Sequence, residues 1–241
     1  VQAKAEYRRR DKGIETHTKL TVSPEDNVEI RRVTLSNHST ETRHVELTSY
    51  AEVVLTSLNA DLAHRAFSNL FVQTEILTDL RAILCTRRPR MPGEKNPWLF
   101  QLLTLPSVIT EESTLETDRA RFIGRGRTVA NPVVLDNSQS QAALSDTDGP
   151  VLDPIMAIRH SLTLLANESV IVQIISGIAP TREEALMLIE NYRERHFVER
   201  AFEMAWFQNQ EEMRHLNMTE ADAQIYNNYA RNGSLQKNKK G

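Results

Sequence analysis

Four arginines lie within nine positions of the stretch DRARFIGRGRT, residues 118–128, and they are Arg119, Arg121, Arg125 and Arg127. The planar guanidinium group presents fixed pairs of donors that suit phosphate, carboxylate or neighbouring sugar hydroxyl groups. The two glycines among them permit positive φ angles and a close approach of the backbone to a ligand. The stretch is therefore a candidate substrate-binding site. The alternative interpretation is a solvated strand edge with a glycine bulge.

Several ligand classes do not fit this stretch. It contains no GxGxxG and is not followed by GK[ST], so it is neither a dinucleotide-binding loop nor a Walker loop. The formal charge of the chain is −3, and a second basic cluster, RRPR at 87–90, has no aromatic residues interleaved with it. Because neither a basic field nor a base-stacking platform is present, no nucleic-acid partner is predicted.

Asp61 and His64, three residues apart, form a second and weaker candidate site. A carboxylate and an imidazole could transfer protons at an anomeric carbon, as in some sugar-converting β-sandwiches. A histidine that caps an element or is satisfied in the core is the simpler interpretation. The carboxylates of Glu52, Glu75 and Asp153 show no second feature that marks an acid/base pair for glycoside hydrolysis. No catalytic residue is therefore assigned.

Metal and cofactor chemistry has no motif in this chain. The seven histidines show neither HxH nor HExxH spacing, and Cys85 is the single cysteine, so no metal site and no internal disulfide are predicted. The GxSxG signature of a serine nucleophile is also absent. We expect no cofactor.

The secondary structure that must position these residues is predicted to change from strands to helices near residue 180. Before it, apolar and polar residues alternate; in HVELTSYAEVVL, residues 45, 47, 49, 51, 53 and 55 share one face. Pro24 marks a turn between two strand-like runs, and Asn167 lies in a predicted hairpin turn. Strands at this spacing with no helices between them predict an antiparallel β-sandwich over residues 1–180.

After residue 180 the apolar period becomes 3.6. Thr181 and Glu184 form a capping box, and Ala185, Ile189 and Tyr192 then line one helical face. We predict helices over residues 181–230 and a disordered basic tail over residues 231–241. No apolar run reaches the roughly 18 residues that span a bilayer, so this segment is not expected to insert into a membrane.

Seven segments, in this order, carry a resemblance to a known family: YRRRDKGIETHTKLTVSPEDNVEIRRVTLSN, ELTSYAEVVL, DLAHRAFSNLFVQTE, TRRPR, ETDRARFIGRGRT, GPVLDPIMAIRHSLTL and TREEALMLIENYRE. They resemble the region of cyclic β-1,2-glucan synthases that belongs to the inverting disaccharide-phosphorylase family. Cellobiose and chitobiose phosphorylases are more distant members. The resemblance implies an antiparallel, galactose-mutarotase-like β-supersandwich that here lacks early strands, then linker helices, then an (α/α)₆ barrel that carries the catalytic acid.

The resemblance also implies a function. The parent would be a large bacterial inner-membrane enzyme that builds linear β-1,2-glucan from UDP-glucose, with a phosphorylase-like module that processes it. This soluble piece, on the cytoplasmic side, has no room for the barrel and is expected to be inactive alone. Expected partners are β-1,2-glucan or another oligosaccharide, the absent barrel, and a second copy in a homodimer. The arginine stretch would border the sugar or phosphate cleft. The alternatives are an autonomous carbohydrate-binding module and, less favoured, a mutarotase-like epimerising domain.

Overall fold

The computed structural model describes residues 4–89, 91, 93–106, 113–136, 143–219, 221, 222 and 225. Eleven strands and four helices fall within this part of the chain. The strands are β1 (Ala5–Asp11), β2 (Ile14–Val22), β3 (Val28–Asn37), β4 (Arg43–Thr48), β5 (Ala51–Glu52), β6 (Val72–Leu77), β7 (Ala82–Arg87), β8 (Trp98–Thr104), β9 (Ser113–Asp118), β10 (Pro154–Leu164) and β11 (Ser169–Ala179). The helices are α1 (Leu58–Asn69), α2 (Arg119–Ile123), α3 (Arg182–Arg193) and α4 (Arg195–His215).

The strands form two antiparallel sheets. The larger sheet has seven strands in the order β1-β2-β3-β11-β8-β7-β6. In the smaller sheet β10 is the centre, and it pairs with β4 and then β5 along one edge and with β9 along the other. The smaller sheet therefore covers only part of the larger one.

The inner face of the larger sheet packs on the smaller sheet. Val33 and Leu103 of the larger sheet meet Ile158 and Leu162 of β10 in one apolar cluster, and all four are at least 95% buried. The predicted apolar face of residues 45–55 contributes to this cluster through five of its six members. The period-two alternation therefore identified the side of β4 and β5 that faces the core.

The outer face of the larger sheet packs on α3 and α4. Phe100 and Ile175 of the sheet contact Ile189 and Tyr192 of α3 in a second apolar cluster. Strands β8 and β11 are thus buried on both faces, which explains their nearly continuous apolar sequences. Alternation is lost wherever both faces of a strand are covered.

Polar contacts fix the two helices against the sheet. The Tyr192 hydroxyl donates to Asp26 Oδ2 at 2.8 Å, in the turn between β2 and β3. Arg32 of β3 contacts Glu199 at 3.0 Å and lies 4.4 Å from the ring centroid of Phe202. The capping box is formed as predicted, because the Thr181 hydroxyl accepts the backbone N–H of Glu184 at 3.2 Å.

The mainly antiparallel β fold with C-terminal helices is confirmed, but two details of the prediction are wrong. First, α1 and α2 interrupt the strands; Ser57 caps α1, whose apolar residues do not follow a helical period that faces the core. Second, β10 and β11 form no hairpin, because they belong to different sheets. Asn167, at φ +59°, lies in a connection between the sheets, and a turn residue with positive φ suits either connection.

The end of the predicted helical region, residues 181–230, and the predicted tail lie largely outside the described residues. Thr219 and Asp222 are described, and they make reciprocal capping contacts, with the Thr219 hydroxyl accepting the Asp222 N–H at 3.3 Å and Asp222 Oδ2 accepting the Thr219 N–H at 3.0 Å. Residues 226–241, and with them the predicted tail, are not described.

Candidate functional site: the arginine stretch and its carboxylates

The arginine stretch is a short helix followed by a loop, and the strand-edge interpretation of it is wrong. Helix α2 begins after Asp118, whose Oδ1 accepts the backbone N–H of Ala120 at 2.8 Å. Phe122 and Ile123 are each 3% exposed, and Phe122 packs against the ring of Tyr50 at 5.1 Å. These two apolar residues anchor the segment, so the polar side chains on either side of them project from a fixed base.

One glycine and two arginine hydrogen bonds fix the loop that follows α2. Gly124 has φ +84°, and a Cβ there would lie 2.9 Å from the Cβ of Val133, so a side chain is excluded on both grounds. Arg127 Nη1 donates to Asp136 Oδ1 at 2.6 Å. Below the loop, Arg159 is 4% exposed and donates from Nη2 to the carbonyl of Val134 at 2.7 Å.

Arg119 belongs to a carboxylate–arginine cluster, which we define as Glu52, Arg65, Arg119 and Asp153. Arg119 Nε donates to Glu52 Oε1 at 3.2 Å, and its Nη1 donates to Asp153 Oδ2 at 3.5 Å. Arg65 donates to the other oxygen of Glu52. The cluster therefore joins β5, α1, α2 and the residue that precedes β10.

Two neutral side chains complete the hydrogen bonding of the cluster. The Tyr50 hydroxyl donates to Glu52 Oε1 at 3.0 Å, and Asn69 Nδ2 donates to Asp153 Oδ1 at 2.9 Å. Contacts with Arg65, Tyr50 and Arg119 hold the pKa of the Glu52 carboxyl below its ordinary value, Arg65 having the largest effect. A carboxyl that stays ionised and shares its oxygens among three donors is poorly suited to act as a general acid.

Arg121 and Arg125 are the two members of the stretch that make no short contact with a carboxylate in the described residues. The Arg121 side chain is 60% exposed and lies 3.8 Å from Asp118. Arg125 is exposed, and within the described residues no hydrogen bond or ion pair engages it. The structure thus divides the predicted binding residues into two that hold the protein together, Arg119 and Arg127, and two that a ligand could reach.

The weaker candidate pair lies on α1, but its two members do not contact each other in the described structure. Asp61 Oδ1 lies 4.0 Å from Arg65 Nε, one turn further along the helix. His64 is exposed and has non-helical backbone angles, φ −150° and ψ 62°, so the helix is kinked there. Proton transfer by this pair remains a prediction without a geometric basis.

Two other side chains of types that often take part in catalysis, His160 and Cys85, are buried in the core. His160 of β10 is fully buried; its Nδ1 lies 2.9 Å from the Ser113 hydroxyl, and its Nε2 has no hydrogen-bond partner among the described residues. Burial lowers the pKa of His160 to about 4, so the ring is neutral near pH 7. Burial also raises the pKa of the Cys85 thiol well above its usual value, which disfavours the nucleophilic thiolate.

The carboxylate–arginine cluster was not predicted from the sequence. Glu52 and Asp153 lie 101 positions apart, and neither has a second feature in the sequence that marks it. The available signal is the excess of arginine in the stretch itself, because an arginine is rarely buried without a partner. Nothing in the spacing shows which carboxylates those are.

The described residues also bear on metal and membrane binding. Within them, no three His, Cys, Asp or Glu side chains are grouped so that they could hold a metal ion. None of the helices in the described ranges is both long enough and apolar enough to cross a membrane.

Comparison with known proteins identifies the family. The profile of the supersandwich domain of glycosyl hydrolase 94 matches residues 1–195. The cyclic beta-(1,2)-glucan synthase NdvB of Rhizobium meliloti (strain 1021) is 36% identical over 220 residues, which are 91% of this chain and 8% of that protein. The chain belongs to the glycosyl hydrolase 94 supersandwich family. It spans less than a tenth of the length of the synthase that it matches.

Two solved structures are also similar in part. A putative kojibiose phosphorylase from the human microbiome is 9% identical, with a TM-score of 0.43 over 84% of this chain and 21% of its own. The polysaccharide lyase BACCELL_00875 is 14% identical, with a TM-score of 0.40 over 75% of this chain and 22% of its own. Scores this low add nothing to the family assignment, which depends on the sequence matches.

Replacing Arg119 tests the structural role of the cluster. We expect Arg119→Ala to lower the free energy of unfolding by about 1–3 kcal/mol, because Glu52 and Asp153 each lose a charged donor. Arg125→Ala, in the same stretch, is the matched control and should change it by no more than about 0.5 kcal/mol. Urea unfolding measures both, and equal effects would show that the cluster does not stabilise the fold.

Buried His160 predicts a pH dependence of stability. Its folded pKa of about 4 lies below the ordinary value of 6.5, so the unfolded chain binds the proton first. Stability is therefore full above pH 6.5 and falls as the pH drops from 6.5 to 4, by about 3 kcal/mol. We expect His160→Asn, measured by urea unfolding at a series of pH values, to remove this part of the decline. Parallel curves for the two proteins would contradict it.

Proposed function

We propose that this chain is the supersandwich part of a cyclic β-1,2-glucan synthase-like protein and that it supports a glycoside-phosphorylase-like module without carrying out the reaction. The observation that carries the proposal is the 36% identity to the Rhizobium meliloti synthase across 91% of the chain. A match of that extent includes both sheets and both C-terminal helices, so it is not confined to one motif.

The state of the acidic groups supports a non-catalytic role. An inverting phosphorylase needs one carboxylic acid to protonate the glycosidic oxygen while phosphate attacks from the opposite face. Glu52 is held ionised by Arg65 and Arg119, and Asp153 is bonded to Arg119 and Asn69. These carboxylates stabilise elements of the fold, and we propose that the acid of the reaction comes from a barrel domain elsewhere in the parent protein.

The C-terminal helices fit a role as the connection to that barrel. Helix α4 has 21 residues, and Trp206 and Phe207 on it are each more than half exposed, in edge-to-face contact with a centroid distance of 5.1 Å. Exposed aromatic pairs of this kind are enriched where a protein surface meets a partner. We propose that α3 and α4 link the sandwich to the barrel in a protein of the bacterial inner membrane, on its cytoplasmic side.

A turnover assay tests the non-catalytic role. The purified chain, incubated with β-1,2-gluco-oligosaccharides and inorganic phosphate, should release no glucose 1-phosphate, because Glu52 and Asp153 are held by arginine and amide donors and we propose that the acid lies in the barrel. A cellobiose phosphorylase with cellobiose is the control for the assay. Release of sugar phosphate above the protein-free blank would contradict the proposal.

Exchanging the matched segment of the synthase for this chain tests the same proposal through the production of cyclic glucan. Deleting the matched segment from the Rhizobium meliloti synthase should abolish cyclic glucan production, and this chain in its place should restore part of it. Restoration by an unrelated β-sandwich of equal length would show that the segment is only a spacer.

An autonomous carbohydrate-binding module is the second candidate, and the exposed pair Arg121 and Arg125 favours it. If these side chains bind glucan, Arg121→Ala and Arg125→Ala should each weaken saturable binding at least tenfold in a calorimetric titration, a loss of about 1.4 kcal/mol. Arg195→Ala, on a side chain that is 84% exposed on α4, is the matched control. Unchanged binding in both variants would remove these arginines from the site.

A further inference from the structure

A groove opens between the two sheets at the end of the sandwich where β5 stops. Its volume is about 430 Å³, within the range of small-molecule sites. Leu99, Met156 and Ile178 form apolar walls, while Arg31 and Ser176 contribute polar groups. Ala51 and Met156 face the groove from the smaller sheet, and Glu52 also lines it, although its carboxylate is paired with Arg119 and Arg65.

A chain of hydrogen bonds runs from the core to the groove. The backbone N–H of Ile158 donates to Ser49 Oγ at 3.1 Å, and the Ser49 hydroxyl donates to Gln101 Oε1 at 2.7 Å. Gln101, which is 1% exposed, then donates from Nε2 to Ser176 Oγ at 3.3 Å. Each donor and acceptor in this chain has a fixed role, because an amide nitrogen can only donate and its oxygen can only accept.

This series of hydrogen bonds ends at Ser176 and leaves one donor there. Ser176 Oγ accepts from Gln101, and within the described residues no acceptor takes up the Ser176 hydroxyl proton. A buried glutamine amide on a β-sheet face is costly unless both its ends are bonded. Ser49 and Ser176 bond the two ends of the Gln101 amide, and the Ser176 hydroxyl proton is left to donate toward the groove.

Arg31 and Glu29 provide a second polar element two residues apart on β3. Arg31 Nε donates to Glu29 Oε1 at 2.6 Å, and both side chains are 33–40% exposed. Among the described residues, no other partner engages the Nη groups of Arg31 or the second oxygen of Glu29. The pair therefore offers donors and an acceptor side by side, with no net charge.

This combination is the chemistry of a site for a neutral polyhydroxylated ring. Neighbouring hydroxyl groups can each donate and accept, so they match Arg31 and Glu29 together, and the C–H face of a pyranose matches the apolar walls. An anionic ligand would be attracted by Arg31 but repelled by Glu29 and by Glu52, which also lines the groove. We propose that this groove binds one glucosyl residue of an oligosaccharide, with Ser176 and Arg31 as its donors. The choice of a glucosyl residue rests on the proposed function; the groove's own groups define the neutral ring.

Amide chemical-shift mapping tests the groove in the intact chain. Titration of ¹⁵N-labelled protein with sophorose and with methyl β-glucoside should shift the amides of Ser176 and Gly177 by the same pattern, because one ring occupies the groove. We expect weak affinity, with a Kd of about 1 mM. Arg31→Gln and Ser176→Ala should each raise Kd at least tenfold, and Arg195→Gln, on α4, should leave it unchanged.

Three results would overturn the inference. They are the absence of shifts at Ser176 and Gly177, shifts confined to the loop around Arg121 and Arg125, and wild-type affinity in both groove variants. If Ser176→Ala does not fold, judged by its amide dispersion, Arg31→Gln on the groove rim still decides the question. Release of sugar phosphate in the turnover assay would contradict the proposed function and leave the groove result intact, so the two failures can be told apart.

Discussion

The two-sided burial of the seven-stranded sheet is the constraint on which the rest of the structure depends. Strands β8 and β11 must meet apolar groups on both faces, so the smaller sheet covers one side and α3 and α4 cover the other. Tyr192 contributes to this second cover while its hydroxyl donates to Asp26 in the turn between β2 and β3. The C-terminal helices are therefore part of the fold, whatever else they connect.

Burial on both faces of the sheet also limits where polar side chains can lie. A polar side chain between the sheets needs hydrogen-bond partners, and Gln101 has them in Ser49 and Ser176. Both polar features of interest lie where a sheet ends. The carboxylate–arginine cluster surrounds the side chain of Glu52, and the groove, which Glu52 also lines, forms where the smaller sheet no longer covers Arg31.

Local rules predicted most of the fold and little of the site. The Thr181 capping box and the inward face of residues 45–55 depend on neighbours a few positions away, so their patterns can be read directly. Asn167 has the same backbone requirement in a hairpin and in a connection between sheets, and only the pairing partners of β10 distinguish the two. Helix α1 was missed because its apolar residues, including Leu58 and Leu62, face solvent and give no core-facing period.

The arginine stretch shows why residue type alone does not define a site. A guanidinium that suits a sugar or a phosphate suits a carboxylate of the same chain equally well, and the partner within the chain has the advantage of being already held in place. Arg119 and Arg127 have such partners in Glu52 and Asp136, so a ligand would have to displace an existing ion pair. Arg121 has only a distant contact to Asp118, and Arg125 projects from a loop fixed by Gly124. Any recognition of glucan by this stretch must therefore come from the two side chains that the fold itself does not use.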